Sequence, residues 1–180
     1  MRLSDLDNSA LSPTVVLLQT PSSRLQLFLE DKIKRMKHIT QDSSITVETK
    51  KDLKKVREVL GVSPPFSDMW YVTVNLDDLN CKELHKEVLD STTCIFFCTC
   101  SKYSTFKSFK DAISKKEGVF DYYITYLKRV DLVYLYDGFV RSDNKLSKVL
   151  FDYVAQGYSG DIESIMELLV RLSKGEVFET

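Results

Sequence analysis

The sequence is poor in the residues on which many catalytic and metal sites depend. It contains six glycines, two histidines and one tryptophan in 180 residues. Neither His38 nor His85 lies near a Gly-x-Ser-x-Gly motif or a cysteine placed to act as a nucleophile. This scarcity argues against histidine-dependent catalysis, and we expect no catalytic residue, no metal and no cofactor.

The sequence also lacks an excess of charge and a long apolar run. Its 25 basic and 26 acidic residues leave a formal net charge of −1, so no global charge attracts nucleic acid or a membrane surface. No apolar run approaches the roughly 18 residues that span a bilayer. The opening MRLSDLDNSA has no basic segment followed by an apolar one, so we predict neither a secretory signal nor membrane association.

Disulfide and zinc patterns are missing as well. Cys94, Cys98 and Cys100 fall in the strand-like run TCIFFCTC and share parity, so they point to one face of a regular strand. This spacing suits neither a disulfide framework nor a zinc site. We predict buried thiols in a reducing compartment, which means the cytoplasm.

What the sequence does contain is an alternation of strand-like and helix-like segments. The apolar run Val15–Leu18 precedes a helical pattern that ends near Met36, and the same order then repeats. We predict further strands at 43–49, 69–76 and 92–100, with helices at 51–60, 78–91 and 104–113. A β-α-β-α-β-α-β-α order over residues 13–113 indicates an α/β fold with a parallel sheet flanked by helices.

The pattern changes after Glu117 and Gly118. The aromatic stretch VFDYYITYLKRVDLVYLYDGFV favours a helix, and clear helical patterns follow at 146–155 and 162–172, with Asp161 and Glu163 in the first turn of the last one. We therefore predict two domains, an α/β domain over residues 1–117 and a small all-α unit over residues 118–180.

The loop after the first strand occupies the place of a nucleotide-binding loop. Phosphate loops need glycines, whose backbone N–H groups wrap the phosphates, and a lysine. The segment QTPSSR has neither, and Pro21 lacks an N–H group. We predict that Ser22 or Ser23 caps the following helix instead.

Asp77 and Asp78 follow the strand WYVTVNL. The arrangement is similar to a degenerate magnesium-coordinating strand of a P-loop ATPase, but without a phosphate loop the metal has no nucleotide to bridge. We expect one of the two aspartates to cap the next helix. An enzyme using Asp77 or Asp78 at the strand ends stays a less favoured alternative.

Two further features are candidate binding sites. The first is a group of helical lysines, which either contact nucleic acid or form an ordinary solvated surface: Lys51, Lys54, Lys55, Lys107 and Lys110. The second is VSPPFSDMW, in which Phe66 is either an exposed aromatic anchor for a partner or a residue folded under its loop.

Taken together, these residues resemble the delta subunit of the bacterial clamp loader, a degenerate AAA+ protein. KKDLKKVREVLGVSPPFSDMWYVTVNLDDL follows the family's order, with PPFS standing where the family has a clamp-binding Leu-Phe-Ser. TTCIFFCTCSKYSTFKSFK is similar to the next strand and helix, and GYSGDIESIMELLVRLSKG to the lid helix. Pro65 replaces the leucine of the family motif.

This resemblance implies a non-catalytic protein that binds and helps to open or load a DNA sliding clamp. It implies Pro65 and Phe66 as the clamp-binding tip, and the clamp and other loader subunits as partners, with DNA possible. The chain is then a monomer or part of a hetero-oligomer, and the family's C-terminal collar domain is missing from it. A nucleic-acid-binding replication accessory protein that uses the basic helices is the alternative.

Overall fold

The computed structural model describes residues 1–8, 10–78, 81–140, 149, 151–152, 156 and 161–174. None of the helices in these ranges has the length and hydropathy of a membrane-spanning segment. A short 3-10 helix, Leu3–Asp7, opens the chain, and a second, Gln41–Ser43, precedes the second strand.

Strands and helices alternate along the chain. The strands are β1 (Val15–Gln19), β2 (Ser44–Val47), β3 (Trp70–Asn75), β4 (Cys94–Thr99) and β5 (Val119–Tyr123). The helices are α1 (Ser23–Met36), α2 (Lys50–Val59), α3 (Cys81–Asp90), α4 (Tyr103–Ala112), α5 (Arg129–Phe139) and α6 (Ile162–Ser173). The predicted alternation over residues 13–113 is confirmed.

The five strands form one parallel sheet in the order β2-β3-β4-β1-β5. β1 lies between β4 and β5, and Val15–Leu18 are buried, as expected of an inner strand covered on both faces. Because all strands run the same way, their carboxyl ends meet at one end of the sheet and their amino ends at the other.

Helices cover both faces of the sheet. Successive β1 side chains point to opposite faces, so alternate residues of this strand belong to two different core clusters. Val16 and Leu18 share a core cluster with residues of α1, α5 and α6. Val15 and Leu17 share the other cluster with residues of α2, α3 and α4. The fold is therefore α/β with a helix-flanked parallel sheet, as predicted.

Cys94 and Cys98 in β4, with Cys100 directly after it, confirm the prediction of buried thiols. Cys94, Cys98 and Cys100 are buried in the second core cluster and none of them forms a disulfide. Burial raises the pKa of the Cys94 thiol, so this group stays protonated and acts as a small apolar side chain.

The predicted helical character of the segment after Gly118 is wrong at its start. Residues Val119–Tyr123 form β5, which pairs with β1 along its whole length. Phe120 and Tyr122 are buried while Tyr123 is exposed, so the strand shows the alternation of a sheet edge. The boundary predicted after residue 117 falls before β5, and the division into two domains stays a prediction.

The C-terminal helices pack on the sheet core. Ile165, Met166 and Leu169 of α6 belong to the same buried cluster as Leu18 of β1. Asp161 is the N-cap of α6 and precedes its first turn, since its Oδ1 accepts a hydrogen bond from the Ser164 N–H at 3.4 Å. A separate lid stays a prediction, and most of the helix predicted over residues 146–155 lies outside the described residues.

Candidate functional site

The connection between α2 and β3 exposes an aromatic tip. Phe66 is 73% exposed, the highest value among the large apolar side chains that the structure describes. Pro65 beside it is also exposed, whereas Pro64 is buried. Of the two arrangements that the sequence allowed for Phe66, the structure has the exposed one.

Hydrogen bonds hold the chain on both sides of this tip. The Ser67 hydroxyl donates to the His38 carbonyl oxygen at 3.1 Å and accepts from the Thr40 N–H at 3.1 Å. The Trp70 indole N–H donates to the Val62 carbonyl oxygen at 2.7 Å. A large apolar ring is therefore presented to solvent from an anchored loop at the amino end of the sheet.

The loop between β1 and α1 uses its own polar groups. Ser22 is buried, and its hydroxyl accepts a hydrogen bond from the Leu25 N–H at 3.1 Å, so it is the predicted N-cap of α1. The Ser22 N–H in turn donates to the Thr20 hydroxyl at 3.3 Å. The N–H groups of Ser22 and Leu25, at positions where a phosphate loop binds nucleotide, are thus hydrogen-bonded to side chains of the loop itself.

A small cavity lies at the carboxyl end of the sheet. It has a volume of about 180 Å³, and Asp77, Asn75 and Ser101 are among its lining residues. This is below the roughly 300–1,000 Å³ of ordinary ligand pockets. Both aspartates are solvent-exposed; Asp77 lines the strand-end cavity, as the enzyme hypothesis requires, and Asp78 does not.

The Asp77 carboxylate has a bonding role in this cavity. It accepts the Ser101 N–H at 2.9 Å, and the Gln19 side-chain amide donates to the Ser101 carbonyl oxygen at 3.1 Å. Asp77 therefore ties the end of β3 to the segment after β4, and its described hydrogen bonds do not cap α3. Among the described residues, no cluster of histidine, cysteine and carboxylate side chains is placed to hold a metal.

The candidate lysines do not form one surface. Lys51, Lys54 and Lys55 are exposed on α2, and Lys55 pairs with Asp52 at 3.7 Å. Lys107 and Lys110 lie on α4, which packs beside α3, and α3 in turn packs beside α2. With neighbouring helices about 8–10 Å apart, the two lysine groups are separated by a whole helix.

Lys110, like Lys55, is already paired. Lys110 Nζ donates to Asp121 Oδ2 at 2.8 Å, and this hydrogen bond raises the pKa of Lys110. Lys107, one turn earlier on α4, is exposed and has no carboxylate partner in the part of the chain described.

Sequence reasoning missed a group of aromatic residues at the carboxyl end of the sheet. Tyr103 at the start of α4 meets Tyr123 at the end of β5, with ring centroids 5.1 Å apart. The sequence signal is the alternation of side chains in VFDYY, which predicts a strand in which Phe120 and Tyr122 share one face and Tyr123 lies on the other. The same alternation was hidden by the helix-like spacing of the longer aromatic stretch.

Comparison with solved structures identifies the architecture. The DNA clamp loader delta protein of Bacillus subtilis matches with a TM-score of 0.58 and 14% identity, over 96% of this chain. The chain has the fold of the matched part of this delta protein. A DNA polymerase III gamma subunit-related protein of Thermotoga maritima matches with a TM-score of 0.51 and 8% identity, over 93% of this chain.

The resemblance drawn from the residues is thus confirmed for the fold. The chain spans little more than half of the two matched proteins, 56% of the Bacillus subtilis chain and 55% of the Thermotoga maritima chain. No family model and no curated protein sequence matches it.

Proposed function

We propose that this chain is a non-catalytic, delta-like protein of a clamp-loading complex, which binds a DNA sliding clamp and helps to open or load it during replication. The delta-like fold supports a role in clamp loading. A β1–α1 loop without glycine or lysine, whose N–H groups are used within the chain, supports a member that does not hydrolyse ATP.

The observation that carries this proposal is the exposed Phe66. A rigidly presented aromatic ring that fills a hydrophobic pocket of a partner is the usual form of a binding hot spot. Pro65 adds a stiff, exposed ring beside it, and its fixed φ limits the conformations of the tip. The pair occupies the position that the resemblance assigns to the clamp-binding residues.

Direct binding to the sliding clamp of the native host tests the proposal. Phe66→Ala removes the ring from an exposed position, so the fold is expected to stay intact while the affinity falls about tenfold or more. Val62→Ala is the matched control, because Val62 is an exposed apolar residue of the same connection and lies outside the Pro65–Phe66 tip. Calorimetric titration of the clamp gives the two affinities.

Two results contradict the proposal. One is a wild-type chain that does not bind the clamp. The other is a Phe66→Ala chain that binds as tightly as the Val62→Ala control. In the proposal the partners are the clamp and other loader subunits in the cytoplasm, and no cofactor is needed.

The enzyme alternative is less well supported. Asp77 is the acidic residue at the strand-end cavity, and its carboxylate accepts a backbone N–H that holds two parts of the sheet together. A general acid or base acts on a substrate that its pocket admits, and the cavity beside Asp77 has a volume of only about 180 Å³. We therefore assign Asp77 a structural role.

A further inference from the structure

A buried phenylalanine holds two exposed tyrosine rings at the carboxyl end of the sheet. Phe106 is 4% exposed, and its ring centroid lies 6.4 Å from that of Tyr103 and 5.7 Å from that of Tyr123. Tyr103 is 56% exposed and Tyr123 is 47% exposed. Both rings are therefore fixed in position while much of their surface is open to solvent.

A larger cavity begins beside Tyr123. It has a volume of about 590 Å³, and its lining includes Tyr126, Lys128 and Arg129. Tyr126 is a third exposed tyrosine, 58% accessible. The volume lies within the roughly 300–1,000 Å³ range of ligand pockets, so the site has room for a planar group beside the rings.

The positive charges around these rings are more available than the negative ones. Asp121 is paired with Lys110 at 2.8 Å, and the Asp131 carboxylate accepts the Leu3 N–H at 3.4 Å. Lys107, Lys128 and Arg129 are exposed, and within the described residues none of them has a carboxylate partner.

The start of α5 adds to the attraction for anions. Its N-cap is Lys128, whose side chain makes no capping hydrogen bond. The first N–H groups of the helix and the positive end of its dipole therefore lie beside the side chains of Lys128 and Arg129. Cations at a helix N-terminus are unfavourable for the helix itself; Asp131 in the first turn offsets part of this repulsion, and a bound phosphate offsets more of it.

We propose that these residues bind single-stranded nucleic acid. We call them the tyrosine surface: Tyr103, Tyr123, Tyr126, Lys107, Lys128 and Arg129. The tyrosine rings stack with unpaired bases and the three cations contact the phosphates, which is the combination that single-strand-binding grooves use. A duplex fits less well, because its bases are already stacked on each other. The proposal goes beyond clamp binding and does not depend on it.

Fluorescence anisotropy with a labelled oligo(dT) of about 20 nucleotides tests this surface on the full chain. Stacking contributes about 1–3 kcal/mol per base, so Tyr103→Ala and Tyr126→Ala are each expected to raise the Kd about 5- to 150-fold. Tyr126→Phe keeps the ring and is expected to bind like wild type. Phe66→Ala, which removes an exposed aromatic ring at the other end of the sheet, is the matched control and is expected to leave the Kd unchanged.

Salt dependence tests the phosphate contacts separately. For single strands each neutralised phosphate contributes about 0.7 to the slope of log K against log salt. Lys128→Gln combined with Arg129→Gln is expected to lower that slope by about 1.4, measured between about 50 mM and about 200 mM salt.

Three outcomes overturn the proposal. The first is no binding of oligo(dT) at about 50 mM salt. The second is binding that neither Tyr103→Ala nor Tyr126→Ala weakens. The third is loss of binding in a Lys51→Gln, Lys54→Gln, Lys55→Gln chain with the tyrosine variants unaffected, which assigns the contact to α2. All three leave the test of clamp binding through Phe66 untouched.

Discussion

Gly118 has a backbone φ of +74° at the entry to β5. Its carbonyl oxygen accepts hydrogen bonds from the N–H groups of Thr14 and Val15, at 2.9 and 3.3 Å. A Cβ at this position meets the Ser12 carbonyl oxygen at 2.5 Å, which is too close for any side chain. Glycine is therefore required here, and it allows β5 to lie beside β1.

Gly118→Ala is expected to destabilise the protein more than Gly61→Ala. Gly61 has a similar φ of +77°, but no atom lies within 4 Å of its Cβ position. Gly61→Ala thus measures the left-handed backbone alone, about 1–2 kcal/mol, and Gly118→Ala adds the clash with backbone. Urea unfolding of both variants gives the two free energies of unfolding. Equal losses contradict the steric role of Gly118.

The exposure of a single side chain was the least predictable property of the sequence. The segment VSPPFSDMW allowed Phe66 to be an anchor or a core residue, because prolines suit both arrangements. The outcome depends on Ser67 and Trp70, whose partners, His38, Thr40 and Val62, include residues far away in the sequence. Local patterns do not contain that information.

Helix α2, which leads into the Phe66 connection, begins with a capping box. The Asp52 carboxylate accepts hydrogen bonds from the Glu48 and Thr49 N–H groups, both at 3.0 Å. These bonds, with a smaller effect of Lys55, hold the pKa of Asp52 below its ordinary value of 3.8. The carboxylate therefore stabilises the folded state while it is ionised.

The stabilisation by Asp52 is expected to depend on pH. At a pH between the folded and unfolded pKa values of Asp52, the unfolded chain binds more protons than the folded one. The stabilisation by Asp52 is therefore complete well above pH 3.8, and it is lost as the pH falls through the lower pKa of the folded state. The difference in free energy of unfolding between wild type and Asp52→Asn is expected to shrink over that range.

Urea titrations at a series of pH values, from neutral into this acidic range, measure that difference. Lys55→Gln is the control, because the hydrogen bonds to Glu48 and Thr49 outweigh the Lys55 charge. It is expected to leave most of the pH dependence in place. A difference that stays constant down to the lowest pH contradicts the role of the ionised carboxylate.

Strand β5 shows why one element was misread. The aromatic residues of 119–139 satisfy helical spacing in α5 and strand alternation in β5, and the two patterns run into each other. Pairing with β1 decides the conformation of residues Val119–Tyr123, because the parallel partner supplies the backbone hydrogen bonds. The strands with separate Gly, Pro or Ser boundaries were read correctly.

The two proposed surfaces lie at opposite ends of the molecule. Phe66 precedes β3 at the amino end of the sheet, whereas Tyr103 and Tyr123 lie at the carboxyl end of β4 and β5. A strand of five residues is about 16 Å long, so the surfaces are farther apart than the roughly 7–10 Å over which substitutions interact.

Phe66→Ala and Tyr126→Ala are therefore expected to act independently. The double variant is expected to lose as much clamp affinity as Phe66→Ala alone. It is expected to lose as much oligo(dT) affinity as Tyr126→Ala alone. Calorimetry and anisotropy on the two single variants and the double variant check this, with agreement expected within about 0.5 kcal/mol. A larger interaction energy contradicts separate surfaces.

Residue types and their spacing determine three features of this protein. They are the order of strands and helices over residues 13–113, the burial of the thiols in and after β4, and the unsuitability of the β1–α1 loop for binding phosphate. Hydrophobic periodicity and the chemistry of glycine, proline and serine act over a few residues, so the sequence alone is sufficient for them. The resemblance to a clamp-loader delta protein also rested on that order.

Only the tertiary structure decided four other features. They are the position of β5, the exposure of Phe66, the hydrogen bond between Asp77 and Ser101, and the ring contact between Tyr103 and Tyr123. Each joins residues that are distant in the chain or depends on which surface stays uncovered after packing. Many chain arrangements satisfy the same local patterns, and only the packed sheet selects which side chains become neighbours and which face solvent.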